Sequence, residues 1–321
     1  MPSASLAADR AAIVALVHAY PRLQDRADFE GIGKLLAKGR FSSTMGRSLG
    51  GAELAADRAR GIRLHEDGTP RTRILTTNLM IDIDEEAGTA RARSYYAMLK
   101  QPPGEPLSVV GAGRYHDEFV REDGAWRFEE RVSIFDLSGD VGGFLRQAPR
   151  RQPSLALRGP SAAELRPLPP PPDAADAIET LIYTYAERID LADFEGVGAL
   201  FAHGPFVGET EDGGSYALRG EALAKGLRGA VQLYEGNPRT KHVTTNVAVE
   251  VDEAARTGLA RAYFVVLQQT PALPLQPIVS GRYDDRFERV EGAWRFAERR
   301  VYTDHAGDLS AHLRGGGGER A

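Results

Sequence analysis

The sequence lacks the features that mark several large classes of protein. It contains no cysteine, which excludes disulfides and thiolate metal sites. No apolar run approaches the roughly 18 residues of a membrane span, and the first residues lack the basic start and apolar core of a signal peptide. The net charge of −5 argues against electrostatic binding to nucleic acids or anionic membranes. We expect a soluble cytoplasmic protein without nucleic-acid or membrane partners.

Several motifs of catalytic and cofactor-binding sites are also missing. No cluster of His, Asp and Glu has the spacing of metal ligands, and no glycine-rich loop leads from a strand into a helix. No serine stands in a nucleophile motif. We therefore expect neither a metal nor an organic cofactor.

The most informative feature present is an internal duplication. Residues 70–78 match residues 238–246 without a gap, so their numbers differ by 168, and the same offset relates 124–128 to 292–296. Nearer the N-terminus, residues 27–31 match 192–196 with an offset of 165. A repeat of about half of the 321 residues is too long for a solenoid, so we expect two separate folds.

The two copies define the expected domain boundaries. They are residues 1–146 and 174–314, joined by a proline-rich stretch at 147–173. Proline fixes φ and removes hydrogen-bond donors, so this connector should be extended and semi-rigid. The glycine-rich tail, residues 315–321, is expected to be disordered.

Each copy begins with a predicted helix. In the second copy Ile178, Ile182, Tyr185 and Ile189 lie three or four residues apart, which predicts one apolar helix face. In the first copy Pro21 should bend the equivalent helix or end it early.

Further elements follow in the same order in both copies. Asp193 is the predicted N-cap of a short second helix. Strands come next, and Asp123-Gly124 is a good hairpin turn between the last two strands of the first copy. Helices followed by a meander of strands predict an α+β fold, with helices on one face of a curved antiparallel sheet.

Two polar residues of the second copy are apolar in the first. His242 corresponds to Ile74, and Arg300 corresponds to Val132. On an alternating strand, His242 should share a face with Thr244 and Asn246 rather than with the neighbouring valines. The joint loss of two polar side chains suggests that only the second copy keeps the residues for chemistry.

The order of motifs resembles a known family. A helix with Tyr-x4-Asp, a short helix ending in Leu-Phe, a His-x-x-Thr-Asn strand and a closing Gly-x-Trp-Arg-Phe-x-x-Arg strand are similar to the SnoaL-like branch of the nuclear-transport-factor-2-like superfamily. The resemblance covers nearly all of both copies and implies two cone-shaped domains. It is less specific for function, because this fold hosts enzymes, carriers and interaction modules.

Some members of that branch are cofactor-free lyases with a His–Asp pair, among them scytalone dehydratase, bile-acid 7α-dehydratase and hexachlorocyclohexane dehydrochlorinase. The resemblance implies that Asp190 is the carboxylate of such a pair and His242 its imidazole. Tyr185 matches the position of a dehydratase tyrosine, and Arg300 would be the arginine of the last strand, with Arg299 as its rival.

Such a pair suits removal of a proton from carbon. Histidine has an ordinary pKa near neutrality, and a buried carboxylate on its second nitrogen fixes the tautomer. The chemistry would take place in a mostly apolar cavity that accepts a small hydrophobic, oxygenated ring compound. Asn246, Phe264 and Trp294 are the candidate pocket residues.

Every candidate has a structural alternative. Asp25 of the first copy survives without a histidine, which suggests a structural role for Asp190 as well. Tyr185 lies on the apolar helix face and recurs as Tyr20, so it could serve packing. Arg300 could be a surface ion-pair partner of Glu298.

Three functions stay open at this point. The first is a lyase or dehydratase in the second copy, with the first copy a degenerate partner packed against it as an intramolecular pseudo-dimer. The second is an isomerase of the ketosteroid-isomerase or polyketide-cyclase kind, in which the same base returns the proton elsewhere. The third is a non-catalytic ligand-binding or interaction module. Further homo-oligomerisation is left open.

Overall fold

The chain folds into two compact units, Met1–Gly159 and Pro160–Ala321. The computed structural model describes residues 4–44, 46–147, 164–165, 168–210 and 213–314. Most of the expected connector and the whole of the expected tail lie outside these residues. Within the described ranges, none of the helices has the length and apolar character needed to cross a membrane.

The first unit has three helices and six strands in its described part. Its sheet has the order β2-β1-β6-β5-β4-β3, and α1 packs against β3 and β6. These elements are α1 (Ala4–Asp25), α2 (Phe29–Leu35), β1 (Arg40–Ser43), β2 (Arg47–Gly50), α3 (Gly51–Gly61), β3 (Thr72–Asp84), β4 (Thr89–Lys100), β5 (Ser108–Glu122) and β6 (Ala125–Ser138).

The second unit repeats this arrangement. Its sheet has the order β8-β7-β12-β11-β10-β9, and α4 packs against β9 and β12. The elements are α4 (Ala174–Asp190), α5 (Phe194–Leu200), β7 (Phe206–Glu209), β8 (Ser215–Leu218), α6 (Gly220–Ala230), β9 (Thr240–Asp252), β10 (Thr257–Gln268), β11 (Gln276–Val290) and β12 (Ala293–Ala306). The duplicated α+β fold predicted from the sequence is confirmed.

The sheets are mixed rather than wholly antiparallel. Four long strands form the predicted antiparallel meander, but the short strand β1 pairs parallel to β6, and β7 pairs parallel to β12. The Asp123-Gly124 hairpin is confirmed, since both residues have positive φ as a type I′ turn requires. The parallel strands were not predicted because each spans only four residues, too few for an alternation pattern to appear.

The helix faces follow the predicted spacing. In α4 the side chains of Ile178, Ile182, Tyr185 and Ile189 are all buried. The carboxylate of Asp193 accepts a hydrogen bond from the Gly196 amide, which confirms the predicted cap of α5. The apolar face of α4 therefore places its last turn over the sheet.

Pro21 was expected to bend the first helix or to end it early, and the second alternative is wrong. The helix α1 continues through Pro21 to Asp25. Proline removes the amide that would bond to the fourth carbonyl before it. The Pro21 side chain is buried, and most of the stability of helices in proteins comes from tertiary packing of one face rather than from local propensity.

A bulge interrupts the alternation of β9. Asn246 has a φ of 54°. The register with β10 shifts here, so that Thr245 pairs with Tyr263 whereas Ala248 pairs with Arg261. A bulge adds one residue to one strand, so alternation does not continue across it. Asn246 is consequently exposed and does not share the buried face of His242, which corrects the parity expected from the sequence.

A buried ion pair lies in the core of each unit. Arg299 donates from Nε and Nη2 to the two carboxylate oxygens of Asp285, at 2.8 and 2.6 Å. Arg131 and Asp117 form the same two-bond contact at 2.8 and 2.7 Å. All four side chains are almost inaccessible to solvent. Two parallel hydrogen bonds between the charged groups offset much of the free-energy cost of removing both charges from water.

Aromatic rings enclose these guanidinium groups. The Arg299 guanidinium carbon lies 4.1 Å from the Tyr283 ring centroid and 4.6 Å from that of Tyr185. In the first unit Arg131 lies 4.3 Å from Tyr115 and 5.0 Å from Tyr20. The arginine of the last strand is therefore a core residue that holds the helix tyrosine in place.

We expect Arg299→Leu to destabilise the second unit by about 3–5 kcal/mol, because it leaves the Asp285 carboxylate buried without its partner. The neighbouring Arg300→Leu should change stability by less than about 1 kcal/mol, since the side chain of Arg300 is 47% exposed in its ion pair with Glu298. Urea denaturation of the full chain, followed by circular dichroism, measures both. Equal losses in the two variants would contradict a structural role for Arg299.

Candidate functional site

A buried carboxylate joins the last residue of α4 to the first residues of β9. Asp190 accepts a hydrogen bond at Oδ1 from the Thr240 hydroxyl at 2.8 Å. Its Oδ2 accepts from the main-chain amide of His242, also at 2.8 Å. The helix end is further held by the Asn237 side-chain amide, which donates to the Asp190 carbonyl at 2.9 Å.

The first unit makes the same two carboxylate contacts. Asp25 Oδ1 accepts from the Thr72 hydroxyl at 2.8 Å, and Oδ2 accepts from the Ile74 amide at 3.0 Å. Asp25 is also the last residue of its helix. The structural role that the sequence suggested for this aspartate is therefore present in both units.

The second unit adds a third contact. The His242 ring places Nδ1 2.6 Å from Asp190 Oδ1. Ile74 has no polar side chain to offer at this position. The aspartate is thus common to both units, whereas the His–Asp contact belongs to the second unit.

The charge state of Asp190 determines the tautomer of the histidine. Burial would raise the pKa of Asp190, but attraction to the His242 ring, hydrogen bonds from it and the charge of Lys241 together lower this pKa to about 2. An ionised carboxylate only accepts hydrogen bonds, so Nδ1 of His242 is the donor. In the neutral ring the basic lone pair is then on Nε2, as in other His–carboxylate pairs.

Tyr185 lies beside this pair. Its ring is edge-on to the His242 ring, with centroids 6.3 Å apart. Burial raises the pKa of Tyr185 above its ordinary value of 10, with a smaller opposing effect of Arg299. The phenol is therefore protonated at neutral pH and can act as a hydrogen-bond or proton donor.

Phe264 is close to the same cluster. Its ring stacks on Tyr283 with centroids 4.5 Å apart, and Tyr283 is 6.1 Å from Tyr185. Phe264 pairs with Thr244 in the sheet, two residues from His242. The wall next to the His–Asp pair is therefore aromatic.

The structure does not bring the other predicted residues to the pair. Arg300 alternates with the buried Arg299 and points to the other face, where it contacts Glu298 at 2.7 Å. Trp294 lies at the β11–β12 hairpin, opposite Arg289, at the other end of the sheet from His242. Asn246 is exposed at the bulge.

A second histidine, His312, also interacts with His242, although its position near the tail had suggested no role in the site. Its imidazole interacts electrostatically with that of His242, and its Nδ1 is buried without a hydrogen-bond partner among the described residues. Burial, followed by repulsion from His242, lowers its pKa to about 4. The duplication points to this residue, because His312-Leu313-Arg314 matches Phe144-Leu145-Arg146 at the offset of 168. This is a further position where the second copy has a histidine and the first an apolar residue.

The equivalent positions of the first unit line a cavity of about 930 Å³. Its lining includes Tyr20, Ile74 and Phe144, which correspond to Tyr185, His242 and His312 in the second unit. Within the described residues, no group of three or more His, Asp and Glu side chains could hold a metal ion.

Comparison with known proteins gives a clear family match. The model of a family described as the SnoaL-like domain matches residues 5–132 and 173–300. These two ranges correspond to the two units and together exceed half of the chain. Comparison with curated proteins gives no match.

Solved structures that resemble the chain each cover one unit's length of it. A function-unknown protein from Mycobacterium tuberculosis is 29% identical over 40% of this chain and 70% of its own, with a TM-score of 0.33. A nuclear-transport-factor-2-like protein with a cystatin-like fold from Novosphingobium aromaticivorans is 19% identical over 40% and 82%, with a TM-score of 0.35. A candidate scytalone dehydratase from Novosphingobium aromaticivorans is 22% identical over 41% and 85%, with a TM-score of 0.33.

We expect His312→Phe, the residue of the first unit, to make stability less sensitive to pH. In the unfolded chain the histidine binds a proton below its ordinary pKa of 6.5, but in the folded chain only below about 4. The free energy of unfolding should therefore fall by roughly 2–3 kcal/mol from this group as pH drops from 6.5 to 4.

Urea denaturation at several pH values in that window measures the effect. His305→Phe, which changes an exposed histidine, serves as the control and should keep the dependence of the unaltered protein. An unchanged slope in His312→Phe would show that the imidazole is not held neutral by its surroundings.

Proposed function

The chain belongs to the SnoaL-like domain family, and from that premise we propose that its second unit is a cofactor-independent lyase of the dehydratase kind. The substrate is a small, hydrophobic, oxygenated ring compound. The base is His242, oriented by Asp190, and Tyr185 is the candidate acid. The single observation that carries the proposal is the buried contact of 2.6 Å between His242 Nδ1 and Asp190 Oδ1.

The contact supports a base at Nε2. Nδ1 donates to the carboxylate, so Nε2 can take a proton from a carbon next to a carbonyl group. The positive charge that forms on the ring is stabilised by Asp190, which is ionised because its pKa is about 2. The side chain of His242 is only 10% exposed, so water screens this attraction weakly.

Elimination of water also needs an acid. As the C–H electrons form the new C=C bond, the C–O bond to the leaving hydroxyl breaks, and that oxygen must gain a proton to leave as water. The Tyr185 phenol is protonated and beside the histidine ring, which supports it as the donor. The imidazolium of His242 can then restore the tyrosine proton between turnovers.

The surroundings support a hydrophobic ring as substrate. Aromatic side chains flank the pair, including Tyr283 and Phe264. The corresponding positions of the first unit line a cavity large enough for a polycyclic molecule. A flat apolar compound would match such walls and expel water from the base.

Isomerisation is the second candidate. An isomerase returns the same proton to another carbon and needs no separate leaving-group acid. The His242–Asp190 contact supports this alternative as well, because one oriented base is enough for both proton transfers. The two reactions differ in their products, because dehydration lowers the mass by one water and isomerisation leaves it unchanged.

The first unit has no equivalent of the base, because Ile74 stands in place of His242. It would then not catalyse this reaction. Its predicted packing against the second unit as an intramolecular pseudo-dimer remains a prediction.

We expect His242→Ile to lower turnover by at least about 100-fold, because it removes the general base. Isoleucine is the residue of the first unit at this position, so the fold should tolerate it. The full chain is incubated with a panel of cyclic hydroxyketones, and mass spectrometry follows loss of water and, in D₂O, uptake of deuterium. Turnover that persists in His242→Ile would eliminate the proposed mechanism.

The matched pair Asp190→Asn and Asp25→Asn separates chemistry from structure. Both variants disturb the same two structural hydrogen bonds, so both should lower stability. Only Asp190→Asn should also abolish turnover, because it alone removes the carboxylate that orients a histidine. Equal activities in the two variants would restrict Asp190 to its structural role.

We expect Tyr185→Phe to distinguish an acid from a packing residue. If Tyr185 protonates the leaving oxygen, kcat for dehydration should fall by roughly 10²-fold or more while proton exchange with solvent continues. The ring itself is retained, so stability should change little. Unaltered dehydration in Tyr185→Phe would assign the residue to packing alone.

A further inference from the structure

We propose that the first unit has a ligand site of its own, a cavity in which Arg58 binds the carboxylate of a hydrophobic, flat molecule. The site is separate from the function proposed above, which concerns the second unit. It rests on the shape, charge and hydrogen bonding of the first unit and on a comparison between the two copies.

The cavity combines space with mostly apolar walls. Its volume is about 930 Å³, within the range of pockets for drug-sized ligands. Ile74, Met98, Val110 and Phe135 lie among its lining residues. Such walls favour a ligand whose body is apolar.

The charged groups of the lining are mainly positive. Arg47, Arg58, Arg60 and Arg146 contribute to it, against the single carboxylate of Asp57 among the described lining residues. Arg47 forms an ion pair with Asp57. The remaining positive charge favours an anionic ligand.

Arg58 is the arginine best placed to bind an acid. Its side chain is 21% exposed, and its ion pair with Asp57 is a long one, with 3.6 Å between Nη1 and the carboxylate oxygen, beyond hydrogen-bond distance. The guanidinium carbon lies 4.8 Å from the Phe41 ring centroid. Its Nε is buried and has no hydrogen-bond partner among the described residues. A carboxylate in the cavity can accept hydrogen bonds from the accessible part of this guanidinium, whose charge is otherwise poorly compensated.

A short chain of hydrogen bonds orients the neighbouring hydroxyl. Arg58 Nη2 donates to the Tyr20 hydroxyl at 3.2 Å, and that hydroxyl donates to Gln24 Oε1 at 3.1 Å. The Tyr20 proton is therefore directed away from Arg58. The arginine end of the cavity therefore presents hydrogen-bond donors. Such donors match a ligand group that accepts hydrogen bonds, such as a carboxylate, and not a group that only donates them.

The second unit has apolar residues at the positions of two of these polar groups. Helices α3 and α6 correspond with an offset of 169, which places Leu227 at the position of Arg58. Gln24 corresponds to Ile189. In the opposite direction, Ile74 and Phe144 of the first unit correspond to two histidines. The first unit thus has a cation, Arg58, on a helix, whereas the second unit has an imidazole, His242, on a strand. This difference favours different ligands for the two units.

Two fluorescent probes of nearly equal shape test the proposal. Pyrene-1-carboxylate is ionised near neutral pH, whereas pyrene-1-carboxamide is neutral, and fluorescence anisotropy reports binding of both to the full chain. We expect the carboxylate to bind roughly tenfold to a hundredfold more tightly, as a hydrogen-bonded charge allows. Arg58→Leu, the residue of the second unit, should remove this preference and leave the affinity for the amide within about twofold.

Matched variants locate the effect. Arg63→Leu removes the same charge from a nearby exposed arginine and should keep the preference. His242→Ile should also keep it, which separates this site from the proposed active site. Arg58→Lys retains the charge without the planar fork and should give an intermediate preference.

Thermal unfolding checks that each variant is folded. Should Arg58→Leu fail to fold, a reduced preference for the carboxylate in Arg58→Lys is the result that supports the proposal. Equal affinities for the two probes would overturn the proposal. So would a preference for the carboxylate that is unaffected by changes at Arg58 or is lost in His242→Ile.

Discussion

A single carboxylate at the end of a helix connects the two layers of each unit. Asp190 and Asp25 each bind a threonine hydroxyl and a main-chain amide at the start of the long strand that follows. This tie fixes where the helix ends relative to the sheet, and therefore where the helix tyrosine lies. An acid at a helix C-terminus opposes the helix dipole by about 0.3–1 kcal/mol when exposed. The hydrogen bonds that it accepts when buried compensate for this cost, and the His–Asp contact of the second unit is added to them.

The general architecture followed from the sequence because it depends on patterns repeated along the chain. Duplicate segments, three- and four-residue apolar spacing and hairpin turns are local signals, and the structure contains the elements they predict. The mixed sheet and the bulge at Asn246 did not follow, because each depends on pairing between strands. The sequence left Arg299 and Arg300 as rivals for the arginine of the last strand, because the burial of Arg299 depends on its partner Asp285 on the neighbouring strand.

The site was only partly predictable for a similar reason. The resemblance and the exchange of His242 for Ile74 indicated His242, and the helix motif indicated Asp190 and Tyr185. His312 was missed because it lies close to a tail that was expected to be disordered, although its match to Phe144 was in the same frame. Arg58 was missed because the helix that carries it has few apolar residues and was not predicted. In both cases the relevant neighbour is far away in sequence.

The aspartate binds both the main chain of the strand and, in the second unit, a histidine side chain, and this has an evolutionary consequence. Because a main-chain amide of the facing strand donates to it whatever side chain is present, the residue at this strand position can differ between the units while the hydrogen bond is kept. The connection between helix and strand is thereby independent of the side chain that faces the cavity, which can change without loss of that connection. The first unit still holds the carboxylate, Asp25, that a histidine at position 74 would contact.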